Sequence, residues 1–175
     1  MRFRFSRRKD ASPRGPSVEG RDPRTPFVAL AMKRFRHAAG SSTHEGVFET
    51  HEFGFRGRYI HGFSMIFTTA FEDASGAIQS VNHREQDWNR LRVFFSAAVT
   101  PSTMPEIFAA DTDAKMRAVV PELRSRLAHV TAGAEGDLEM DATFPPSTSV
   151  REFRKILDRW EKDLKLADLT LSDLS

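Results

Sequence analysis

The chain reads as an α+β protein: a largely antiparallel sheet of four to five strands, C-terminal helices packed on one face, and a disordered basic tail in front. Three observations predict this. Between Val47 and Phe71, the residues Phe53, Phe55, Tyr59, His61, Phe63, Met65, Phe67 and Phe71 all hold odd positions, so extended chain projects them to one side. Beyond Thr100-Pro101 the apolar period changes from two residues to that of a helix. Residues 1–26 mix eight arginines and lysines with four prolines and only three acids, a composition that buries too little apolar surface to offset the entropy of ordering.

The elements follow in order. Residues 1–26 are the tail, and 27–175 form one domain. Thr25-Pro26 opens a short helix to about Ala38, with threonine as cap and proline in the first turn; Gly40 suits its stop. Strands are expected near 46–55 and 58–72, then a turn at Asp73-Ala74-Ser75-Gly76, a short strand near 77–82 and another near 89–99. The links are short, which favours antiparallel pairing. Thr103-Met-Pro-Glu106 has the spacing of a capping box, and a helix near 104–131 follows, interrupted by Pro121. Asp137 to Phe144 alternates again as a fifth strand. Ser149-Val-Arg-Glu152 is a second capping box, and Val150, Phe153, Ile156, Leu157, Trp160 and Leu164 form the clearest helical stripe in the chain, giving a helix over 149–166. Leu169 to Ser175 is expected to fray.

Charge is distributed unevenly. The formal net charge is +2, yet residues 1–26 alone carry +5, while 27–175 hold 18 basic against 21 acidic groups. Any attraction to nucleic acid or to an anionic membrane surface therefore belongs to the tail, where Phe3 and Phe5 stand among arginines. Cysteine is absent, which excludes disulfides, thiolate catalysis and cysteine-based metal sites. No run approaches the roughly 20 apolar residues of a membrane-spanning helix, and the charged start lacks the apolar segment of a secretory signal.

Few residues point to chemistry. His51, Tyr59 and His61 are polar handles within the aromatic stretch, suited to a ligand pocket with apolar walls. A turn centred on Arg56 makes His51 and His61 direct cross-strand partners; a centre one residue later pairs His51 with Phe63, and the spacing leaves both open. Arg56 and Arg58 flank Gly57 and suit an anion, because guanidinium groups bind phosphate or carboxylate in a bidentate fork. Asp137, Glu139 and Asp141 share one side of a strand, and Asp111-Thr112-Asp113 resembles a cation-binding pair of carboxylates. An exposed strand face and a helix cap explain these two at less cost. No glycine-rich phosphate loop, nucleophile elbow or HExxH helix is present.

No catalytic residue, metal or cofactor is assigned on this basis. The expected function is that of a soluble, cytoplasmic, non-enzymatic interaction or accessory domain. It takes an unidentified protein partner and uses the basic tail as a tether. The alternative is a small enzyme or ligand-binding domain with its pocket between the sheet and the C-terminal helices.

Overall fold

Alternating side chains in extended chain need a second layer to cover their apolar face, and the long C-terminal helix supplies it. The computed structural model describes residues 21–38, 43–44, 46–98, 121, 131–132 and 137–173. Along the chain these form α1 (Thr25–Arg34), β1 (Arg36–His37), β2 (Thr43–His44), β3 (Phe48–Gly54), β4 (Gly62–Glu72), β5 (Ile78–Ser80), β6 (Arg90–Ala97), β7 (Thr131–Ala132), β8 (Leu138–Phe144) and α2 (Val150–Asp173). Every strand pairing is antiparallel. The sheet runs β1-β3-β4-β6-β8-β7, with β2 also on β3 and β5 also on β4. Its four long strands are β3, β4, β6 and β8, and the protein is α+β.

The odd-numbered side chains of β3 and β4 do face the core. Phe53, Phe63, Met65, Phe67 and Phe95 are each at most 3% exposed. Phe53 stacks on Phe63 with ring centroids 5.3 Å apart, Phe63 stacks on Phe95 at 4.7 Å, and Phe95 meets Trp160 of α2 at 5.7 Å. This aromatic file crosses three strands and ends on the helix, tying the two layers together. At the far end of β4 the alternation gives way to consecutive buried residues, Thr68, Thr69 and Ala70, while Phe71 is exposed.

α2 begins where its capping box predicts. Ser149 Oγ accepts the Glu152 amide at 3.2 Å, and Glu152 accepts the Ser149 amide at 2.7 Å. Its end differs from expectation. Leu169 to Asp173 do not fray but continue the helix, because Ala167, Thr170 and Leu171 prolong the buried stripe of Phe153, Leu157, Trp160 and Leu164.

Two further boundaries move. α1 stops at Arg34 rather than near Ala38, since Phe35 turns extended and Arg36 and His37 join the ladder opposite Gly54 and Phe53. The tail expected to stay unstructured through Pro26 is folded from Asp22 onward. Arg24 is wholly buried, and the Asp22 carboxylate accepts its backbone amide at 2.9 Å and its guanidinium at 2.7 Å. Residues 1–20, nearly all of the 104–131 helix and Asp111-Thr112-Asp113 lie outside the described residues. No helix among the described residues is long and apolar enough to cross a membrane.

Candidate functional site

The β3–β4 connection is wider than a tight hairpin. Gly54 pairs with Gly62 and His51 with Met65, so neither register open to the sequence holds, and His51 and His61 are not cross-strand partners. Phe55 to His61 form a loop closed by the Phe55 amide on the His61 carbonyl at 2.7 Å and the Gly57 amide on the Ile60 carbonyl at 3.0 Å. A distant residue fixes its shape. Asp168 of α2 accepts the amides of Arg58, Tyr59 and Ile60 at 2.9, 2.8 and 2.9 Å. Only glycine fits at position 57, because a Cβ there would sit 2.5 Å from both Asp168 Oδ1 and the Ile60 carbonyl oxygen.

Clasping the loop onto α2 opens a cleft of about 1020 Å³ between β1, this loop and the C-terminal half of the helix. Its polar walls carry Arg34, Arg36, His37, Arg56, His61 and Lys165, with Glu161 and Asp168 as the acids. Both acids are already engaged. Glu161 pairs with Arg34 and with Lys165, the latter at 2.8 Å. Hydrogen bonding from Lys165 leads the causes that hold its carboxyl below the usual range, with Arg34 adding to it and burial opposing. Asp168 spends its oxygens on the loop amides. Arg36, Arg56 and His61 are exposed and form no ion pair among the described residues. Phe35, Phe55 and the 60%-exposed Leu169 add apolar surface.

The expected site residues are thus divided. Arg56 and His61 come together on the cleft. Arg58 turns away, its guanidinium 5.4 Å from the centroid of the Tyr59 ring. Tyr59 is 1% exposed and packs within the core. His51 is buried on β3, where its Nε2 lies 2.7 Å from Glu49 Oε1 and its Nδ1 lies 3.1 Å from His37 Nε2. A carboxylate oxygen only accepts, so it suits a proton on His51 Nε2, with Nδ1 turned to His37. His51 does not line the cleft, whereas its neighbour His37 does. On β8 and just ahead of it, two carboxylates have local partners: Asp141 forks onto Arg92 at 3.0 Å, and Asp137 accepts from Ser96 at 3.3 Å.

Arg34, Arg36, His37, Lys165 and Asp168 have no signal in the sequence as site residues. The first three fall in the last turns expected of the first helix, and Lys165 and Asp168 lie on either side of the expected end of the C-terminal one. No protein-family model, curated protein or solved structure matches this chain, so the geometry of the cleft carries the functional reading by itself.

Proposed function

We propose that this domain is a binding module for a small anionic ligand, held in the cleft between the β3–β4 loop, β1 and α2. The reading rests on one observation: Arg36 from β1 and Arg56 and His61 from the loop line a single concavity whose two carboxylates are already taken up, Glu161 by Arg34 and Lys165 and Asp168 by the loop amides. A cationic cleft with low-dielectric walls concentrates anions, and paired guanidinium groups favour carboxylate or phosphate oxygens. Phe35, Phe55 and Leu169 would receive an apolar portion of the same ligand. Of the two functions expected from sequence, this favours the ligand-binding domain over the protein-partner module, and binding over catalysis.

Calorimetric titration with pyrophosphate and with citrate tests the reading. Charge-assisted hydrogen bonds contribute about 1.5–3 kcal/mol each, and exposure lowers that here. Arg36→Ala combined with Arg56→Ala is therefore expected to weaken binding by roughly tenfold or more. Added salt should weaken the wild type as well. Equal affinity of the double variant and the wild type for both anions would end this reading.

A further inference from the structure

We propose that His37 and His51 form a binding site for a divalent transition metal of the zinc, copper and nickel class, with Glu49 positioning His51. The inference is independent of the anion reading. β1 and β2 both pair with the outer side of β3, which gathers His37, His44 and His51 onto three strand segments at one edge of the sheet; His44 stands opposite Glu49 in the ladder. The side chains of His37 and His51 already face each other. His37 Nε2 and His51 Nδ1 are 3.1 Å apart, with ring centroids at 5.2 Å and planes inclined by 56°. Two nitrogens bound to one tetrahedral zinc at about 2.0–2.1 Å lie about 3.3 Å from each other. The pair thus stands close to ligand spacing with no strand moved.

Glu49 makes the pair more than a contact between two rings. Its carboxylate, 14% exposed, lies 2.7 Å from Nε2 of a His51 side chain that is 5% exposed. A carboxylate behind a histidine fixes the tautomer, directs the other nitrogen outward and raises its basicity. Here that other nitrogen is Nδ1, the one facing His37. Metal entry would replace the hydrogen bond between the rings, each imidazole turning one ring nitrogen, His37 Nε2 and His51 Nδ1, to the ion. No set of three potential ligands converges among the described residues, so the pair supplies two protein donors and water or a bound anion the remainder. His37 also lines the cleft. Nitrogen donors suit zinc, copper and nickel; magnesium and calcium prefer oxygen.

Titration of the tag-free full chain with Zn²⁺ alone, in a buffer without phosphate, decides the matter. The expected result is saturable one-to-one binding that His37→Ala and His51→Ala each weaken at least tenfold. Glu49→Gln should weaken it by about 10-fold, the lower end of the range for partners that orient a ligand, and His83→Gln should leave it unchanged. Mg²⁺ should give no saturable heat. His37 is only half-buried, so His37→Ala remains informative should His51→Ala unfold; near-UV circular dichroism checks both folds. Wild-type binding no tighter than that of folded His37→Ala would overturn the site.

Discussion

The carboxylate of Asp168 receives three consecutive amides of the β3–β4 loop, and two of these, from Tyr59 and Ile60, belong to residues at most 1% exposed. Left without an acceptor, a buried amide costs about 1–3 kcal/mol. Asp168→Ala should therefore destabilise the protein by about 2–3 kcal/mol, allowing for partial rehydration of the loop. For a chain of this size that is a fall in Tm of roughly 4–12 °C. Asp168→Asn retains an amide oxygen in the same place and should lose less. Hydrogen exchange at residues 58–60 is the second readout, and unchanged protection in Asp168→Ala would sink the argument. Gly57→Ala attacks the same contact from the other side, since its Cβ would meet both Asp168 Oδ1 and the Ile60 carbonyl. The two substitutions should not add: removing the carboxylate relieves one of the two clashes and leaves the other.

α2 shows what one helix contributes beyond covering a sheet. Its N-terminal half buries Phe153 and Leu157 against the strands, and its C-terminal half holds both the wall of the cleft and the clasp on the loop. Leu171, in the last turn, is 0% exposed. Leu171→Ala should cost about 2–4 kcal/mol through lost burial and the cavity left behind; a change under about 0.5 kcal/mol, the size expected of a surface site, would mean that this turn frays after all. Legibility from sequence differs by element for physical reasons. The two-residue period of β3, β4, β6 and β8 and the 3.6-residue stripe of α2 are local patterns, so they can be read directly. Where α1 stops is decided by two residues, Arg36 and His37, finding partners on β3. The hairpin register is decided by a carboxylate 108–110 positions away. Neither leaves a periodic trace, and the cleft is built from both. Of its cationic wall, only Arg56 and His61 are legible in the sequence, because both lie within the aromatic stretch itself.

At the scale of the molecule, the segment ahead of α1 and the loop after β5 meet around a group of charges that makes stability depend on pH. Arg24 is buried against Asp22, and the His83 imidazole senses Asp22, Arg24 and Arg84 and is hydrogen-bonded to the backbone of Gly46. His83 Nδ1 is buried without a hydrogen-bond partner among the described residues. Burial is the leading cause that holds the imidazole below its ordinary 6.5, and Arg24 and Arg84 push the same way against Asp22. For Asp22, burial alone would raise the carboxyl, but the hydrogen bonds and charge of Arg24 outweigh it and hold the group below 3.8. The signs agree. His83 takes up a proton more readily when the chain unfolds, so its contribution is complete above pH 6.5 and is lost as pH falls through its lower folded value. Asp22 contributes above 3.8 and loses that contribution as pH falls through its own folded value. Glu52, raised by burial above 4.5, works in the opposite sense, favouring the folded state in acid and withdrawing that support as pH rises through its folded value. Thermal unfolding should accordingly show a plateau above about pH 7, one decline below about 6.5 and a second, steeper one in the carboxylate range. His83→Gln keeps a polar side chain that does not titrate there. It should flatten the first decline and leave the second in place. An unchanged first decline in that variant would assign the near-neutral dependence to another histidine.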